Sequence, residues 1–422
     1  MSNKEHITEI SKTLDEPGWL LLWRQKRANI AGALPKTLKY GIGITGVLPQ
    51  NTEGNLLQEP ECHFQYFDQI TEYHVDATKG IELYTWKEAV TQEEIAPILQ
   101  GLMESGFFPT ASNYWSGLAQ ALFRSGLVVY VQPNIGDDGV SKEEKLTLDT
   151  VVPDGNSADS IVVIVKEGAR IVLTSALLGP SSAKAPSGKD RGVFARTLVV
   201  LTERDAHVRV IQKQSLQKET IALVSVRGIV AAHSSVSWSE VFAGEIQIKS
   251  ETENLLVGES ARGEIMQGII ACGPAKFDVY SSAKHLADHT YSRIRAAGLG
   301  ADTSRTVYRG LIDMKKGVRA VDGGQEAHFL VLSPKAEVDA IPSLDIASKE
   351  VSCTHKLSIS HIRDTDTFYP KLRGLSDEES RRLFLESHFA QGFSGEENEE
   401  IMEEIRRALV QTIQGRPLNT IS

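Results

Sequence analysis

The chain has 422 residues and a mass of 46.3 kDa, so two or three units are expected unless one repetitive all-β body takes up the length. Its 41% hydrophobic and 24% charged residues are those of a soluble protein with a sizeable core. The 45 basic against 55 acidic side chains leave a net charge of −10, which argues against broad nucleic-acid binding and against docking on anionic lipid.

Residues 1–6, MSNKEH, lack the apolar core of a signal peptide. The region up to 125 reads as mixed and mainly helical. Pro17 precedes a run of good helix formers, 19–28, that has no interior breaker. A second helix is expected over 91–104, with Ile95, Ile98, Leu99 and Leu102 at helical spacing and Thr91 to Glu94 as a capping box. From 126 to 362 short β-branched segments alternate with turn residues: 127–131, 160–165, 197–201, 207–211, 221–226, 245–248, 264–270, 276–280, 306–312, 329–332 and 352–358. So many short strands fit a sandwich, a barrel or a solenoid. Their combined length favours stacked coils, which grow in one direction without a thicker core. No strict repeat accompanies this rhythm. Residues 179–192, rich in Ser, Ala, Pro, Gly and Lys, read as a mobile loop. The segment 363–422 turns helical again. Ser376 and Glu379 form a capping box for a helix to about Ala390, and a second helix follows from about Glu397 to Gln414. Ile401, Met402, Ile405, Ala408, Leu409 and Ile413 make one stripe on it, read as a docking face.

The apolar runs are all too short to span a bilayer. Cys62, Cys272 and Cys353 give no disulfide framework, so a cytoplasmic location is expected. No Walker A motif is present: Gly188-Lys189 is followed by Asp190, and Ala183 stands where the upstream Gly would be. His285 and His289 are four apart but lack the Glu of a metalloprotease helix, with Leu286 in its place. Cys62-His63 and Cys272 read as structural. Cys353-Thr354-His355 carries more: on a strand, residues two apart share a face, with Cα atoms about 6–7 Å apart. A thiol and an imidazole there make a half-site for a soft metal or an iron–sulfur cluster. A core Cys beside a surface His is the structural alternative.

The run Leu330-Val331-Leu332-Ser333, Ala336-Glu337-Val338-Asp339, Ile341-Pro342-Ser343-Leu344-Asp345-Ile346, then Cys353-Thr354-His355, resembles the SufB/SufD family of iron–sulfur cluster assembly scaffold proteins. So does Phe368-Tyr369-Pro370-Lys371-Leu372-Arg373-Gly374 with the helix after it. Weaker echoes lie at Glu16-Pro17-x-Trp19-Leu20 and at Ser304-Arg305-x-Val307-Tyr308-Arg309-Gly310. The resemblance implies a mainly β fold, a right-handed parallel β-helix flanked by helical N- and C-terminal regions. It implies pairing of SufB-like and SufD-like subunits through their β-helices, and docking of the SufC ATPase on the C-terminal helices. The SufB branch carries a cluster-building Cys on the strand matching 327–332, absent here, and Glu after the matching His, where Lys356 stands. The Cys-x-His pattern is that of SufD, although Lys356-Leu357-Ser358 replaces the usual Gly-Ala-Thr.

The expected function is that of a non-enzymatic SufD-like scaffold subunit that assists iron acquisition and cluster assembly with SufB-like and SufC-like partners. His355 and Cys353 would be transient ligands of iron or a nascent cluster, with no tightly bound cofactor. Phe368, Tyr369, Arg373, Gly374, Ile401, Ile405 and Leu409 are the expected partner contacts. The alternatives are a purely architectural homologue, a self-pairing homodimer, and a β-helix enzyme acting on acidic polysaccharide. The last lacks the clustered carboxylates and the base that such sites need.

Overall fold

The computed structural model describes residues 3–35, 67, 69–136, 139–153, 155–179, 192–216, 220–393 and 399–413. Cys62, His63 and all but the two ends of the expected 179–192 loop lie outside them. Helices α1 (Asn3–Thr13) and α2 (Gly18–Gly32) open the chain. They are followed by strands β1 (Glu72–Ala77) and β2 (Ile81–Thr85) and by helices α3 (Trp86–Ala89), α4 (Ala96–Glu104) and α5 (Tyr114–Leu122). The body begins with β3 (Ser125–Val131), β4 (Asn134–Ile135), β5 (Ser141–Val151), β6 (Ser157–Val165) and β7 (Arg170–Leu178). It continues through β8 (Val193–Thr202), β9 (His207–Ser215), β10 (Ile221–Val230), β11 (Ser235–Gly244), β12 (Gln247–Leu256) and β13 (Arg262–Ala271). Strands β14 (Lys276–His285), β15 (Tyr291–Gly300), β16 (Arg305–Met314), β17 (Val321–Val331), β18 (Glu337–Ile346) and β19 (Val351–His361) complete it. Helices α6 (Asp364–Leu372), α7 (Asp377–Gly392) and α8 (Glu399–Ile413) follow.

Successive strands alternate between two sheets, and within each sheet every second strand stacks in parallel on the one before. One sheet runs β2-β3-β6-β8-β10-β12-β14-β16-β18, the other β1-β5-β7-β9-β11-β13-β15-β17-β19. The result is the expected mainly β body, a parallel β-solenoid of about 7 turns with helices at both termini. Inward positions of both sheets fill one continuous core, from Val129 and Leu146 to Ile312 and Phe329. Helices α2, α4 and α5 cover the outer face of the first sheet through Trp23, Leu99, Leu102, Trp115 and Leu118, which meet Val162, Val199 and Leu223. Helices α7 and α8 cover part of the outer face of the second.

Thr91 does not open a helix. The capping box sits six residues earlier, with Thr85 and Glu88 opening α3, and α4 starts at Ala96 because Pro97 fixes its first turn. At the other end the expected box holds: Ser376 Oγ accepts from Glu379 N–H (3.2 Å), and the Glu379 carboxylate accepts from Ser376 N–H (2.8 Å).

The two ends of the solenoid differ. At the first turn β1 and β2 run antiparallel to β5 and β3 and are the edge strands there. At the last turn β18 pairs only with β16 and β19 only with β17 among the described residues. Pro342 lies in β18, and a residue without an N–H belongs on an edge strand.

Candidate metal and partner site

The last turn brings Cys353 and His355 to one face. The register stacks Cys353 on Gly323, His355 on Gln325, Leu357 on Ala327 and Ile359 on Phe329. Ala327 and Phe329 belong to the inner core, so this row of β19 continues the inward-facing rows below it. Among the described residues no further turn covers it. Cys353 is half-buried against the core, while His355 is exposed and has no hydrogen-bond partner among the described residues. Burial pushes the Cys353 thiol up; the carboxylate of Asp322 adds to the shift and the Arg293 guanidinium opposes it. At neutral pH the group is therefore a thiol, which gives up its proton when a metal binds. Among the described residues no three His, Cys, Asp or Glu side chains converge as a metal site. The described residues thus place two potential donors, one soft and one borderline, on the last turn.

His285 has another role. It ends β14 fully buried, with Nδ1 2.8 Å from Thr290 Oγ1 and Nε2 2.8 Å from Ser292 Oγ, and burial lowers its pKa to about 4. Both ring nitrogens are thus held by hydroxyls, and His289 is a turn residue at φ 59. Cys272 is buried beneath the C-terminal helices, as a structural thiol should be.

The expected partner contacts separate into two groups. Ile401, Ile405 and Leu409 are buried in one cluster with Ile211, Val241, Met266 and Ile270 of the chain's own sheet. Their burial corrects the reading of the α8 stripe as a docking face: the solenoid's apolar outer surface takes it first. Phe368 and Tyr369, by contrast, are 59% and 62% exposed on α6, beside Leu372 at 67%. Arg373 donates through Nη2 to Tyr369 Oη at 2.6 Å and lies over its ring, which holds that aromatic in place. Gly374, at φ 90, gives α6 its left-handed end, with its N–H donating to the Lys371 carbonyl. The corner holds three apolar side chains out from the surface.

Residues 150–388 match the family model described as SUF system FeS cluster assembly, SufBD core domain. The chain belongs to this family. It is 23% identical over 413 residues to an iron–sulfur cluster assembly SufBD family protein of Staphylococcus saprophyticus, covering 90% of this chain and 86% of the relative. A SufBD family protein of Staphylococcus epidermidis is 22% identical over 410 residues, with the same two shares. A Staphylococcus aureus protein of the same description is 22% identical over 278 residues, 66% of this chain and 58% of that one. The SufBD core match spans most of the solenoid and ends within α7, so it includes β17 to β19 and the α6 corner.

Sequence reasoning passed over a group on the other face of these strands. Arg293, Arg295, Glu326, Thr354 and Lys356 line an outward cleft. The only signal in the sequence is the alternation of Arg293 and Arg295 around Ile294, which puts both on the side opposite the core. No described helix is long and apolar enough to cross a membrane.

Proposed function

We propose that this SufBD chain is a non-enzymatic, SufD-like scaffold subunit of an iron–sulfur cluster assembly complex in the cytoplasm. Its last solenoid turn pairs with a SufB-like subunit, and the exposed α6 corner receives a SufC-like ATPase. The observation that carries the reading is the asymmetry of the solenoid. At one end the outermost strands β1 and β2 lie antiparallel to their neighbours, while at the other β18 and β19 continue the parallel stack as edge strands, with Cys353 and His355 on the inward row of β19. Edge strands with free N–H and C=O groups are templates for pairing with another chain. A partner docked there would bring its own ligands opposite the thiol and the imidazole, completing a site that one chain leaves at two donors.

Iron is cargo in this reading and stays only until the cluster is passed on. His355 is the entry ligand, since it is exposed and unengaged; Cys353 binds second, because its thiol must lose a proton at a half-buried position. Missing cluster-building Cys on β17, where His328, Phe329, Leu330 and Val331 stand, favours the SufD-like branch. The test is anaerobic co-expression with SufB-like and SufC-like partners, reading iron and acid-labile sulfide per complex. His355→Ala is expected to lower both by at least half while the complex still assembles. Full loading in the Cys353→Ala/His355→Ala double variant would leave the chain a purely architectural role. Self-pairing is the second reading, favoured by the same open edges, and sedimentation of the chain alone distinguishes it.

A further inference from the structure

We propose that the cleft on the outer face of β15, β17 and β19 is a binding site for a small polyanion carrying phosphate or carboxylate groups. The cleft has a volume of about 320 Å³, within the lower range of small-molecule sites. Its charged side chains belong to the outward rows of these strands, at positions that α7 and α8 leave uncovered, and Ile294, Gln325 and His355 also line it. Arg293 and Thr354 belong to one wall, Arg295, Glu326 and Lys356 to the other, with Gly324 in the floor.

Its charges are unequally satisfied. Arg293 is fixed: Nη2 donates to Asp322 Oδ2 at 2.8 Å, Nη1 to the Ser292 carbonyl at 2.8 Å, and the guanidinium lies 4.2 Å from the centre of the Tyr291 ring. Glu326 stands directly across the ladder from Arg295, yet its carboxylate turns away. It accepts from Lys356 Nζ at 3.0 Å and lies 2.8 Å from His328 Nε2. Arg295 is thus a half-buried guanidinium with no ion pair or hydrogen bond among the described residues. Of the other carboxylates on this face, Asp322 is taken by Arg293, and Glu264, stacked beside Arg293, makes no ion pair with Arg295. In a chain of net charge −10, Arg295 beside Arg293 and Lys356 makes a local group of three cations, a field that favours an anion. The planar fork of Arg295 suits a carboxylate or phosphate edge. Lys356 can leave Glu326 for a second charged group, and the Thr354 hydroxyl faces the same space.

The floor is kept open by composition. A Cβ on Gly324 would come within 3.1 Å of Arg293 Cδ and 3.3 Å of Thr354 Oγ1, narrowing the cleft at its centre. His355 borders both this cleft and the site proposed for iron, but the anion site rests on Arg295, so its failure would leave the scaffold reading untouched.

Calorimetric titration of the full chain with inorganic pyrophosphate and with citrate, at an ionic strength matched with chloride, tests it. Saturable binding of at least one probe is expected, weakened tenfold or more in Arg295→Gln and in Gly324→Ala, and unchanged in Arg170→Gln at the far end of the same sheet. Should Arg295→Gln fail to fold, Lys356→Gln is expected to weaken binding by about threefold or more. Heat no greater than that of chloride, or equal affinity in wild type and Arg295→Gln, would overturn the proposal. An acidic peptide that binds tenfold tighter than either probe, with the same dependence on Arg295, would overturn it in favour of a protein segment.

Discussion

Glu240 is a buried carboxyl with a large consequence for pH. It faces the interior from β11, where its Oε2 accepts from Gln267 Nε2 (2.7 Å) and Thr252 Oγ1 (2.8 Å) and its Oε1 has no partner. Burial raises its pKa from 4.5 to about 7; the two hydrogen bonds oppose the shift. Below about pH 4.5 the carboxyl is protonated in both folded and unfolded chains. Between about 4.5 and 7 the unfolded chain ionises while the folded one keeps its proton. Stability therefore falls as pH rises through this window, by about 3 kcal/mol from this group. Glu240→Gln is expected to remove that slope and to exceed wild type in stability at pH 8, measured by denaturant unfolding at several pH values. A wild-type slope retained in the variant would assign it to other groups. At the same scale, the Cys353-x-His355 spacing was legible in the sequence because strand parity alone fixes a shared face. The cleft around Arg295 was not, since it depends on which carboxylate turns toward which cation.

Among elements, the corners between the sheets explain why no repeat shows in the sequence. Asp205, His233, Ser260, His289 and Ala320 all have φ between 52 and 60, one at each successive corner. Each N–H donates to a carbonyl of the next turn: Asp205 to Ala232, His233 to Glu259, Ser260 to Asp288, His289 to Arg319 and Ala320 to Glu350. The structural repeat is strict, but four residue types share its five positions. The N–H ladder uses only backbone atoms, and Asp and His tolerate the left-handed region. A β-branched side chain does not, so Ala320→Val is expected to be about 1–2 kcal/mol less stable than Ala320→Gly. Equal unfolding midpoints would show that the corner relaxes. Strands β5, β7, β11, β15 and β18 escaped the sequence reading, four of them for a related reason. In β5, β11, β15 and β18 polar and charged residues break up the apolar run, as in Ser235-Val236-Ser237-Trp238 and Tyr291-Ser292-Arg293-Ile294, which dilutes the β-branched signal; nothing of the kind explains β7. The α8 stripe was legible as apolar and periodic; what it covers was not. Ile405 is fully buried, and a Cβ on Gly268 would sit 3.0 Å from its Cδ1. Ile405→Ala is therefore expected to cost about 2–4 kcal/mol of stability, while Phe368→Ala/Tyr369→Ala leaves the unfolding midpoint nearly unchanged and weakens retention of a SufC-like ATPase by tenfold or more. Calorimetry and pull-down read the two separately, and undiminished retention in the aromatic variant would move the ATPase elsewhere.

For the whole molecule, the decisive property is that the two ends of the coil stack differ. One end carries the antiparallel strands β1 and β2 and lies with the N-terminal helices. The other end carries apolar side chains at its rim, with Leu357 and Ile359 at 38% and 44% exposure, where a monomeric protein would place charge or cover. Composition and strand rhythm pointed to the stacked body, and the resemblance pointed to its partners. Neither could show that the Cys-x-His strand is the last rung, because stacking order is a property of pairing between strands about 30 residues apart. Hydrogen exchange of the chain alone and in complex with a SufB-like subunit tests the pairing most directly. Protection on complex formation is expected to be strongest over residues 337–361, which contain β18 and β19, with β1 and β2 unchanged. Unaltered exchange across 337–361 in a stable complex would contradict pairing through the last turn and separate Cys353 and His355 from the subunit interface.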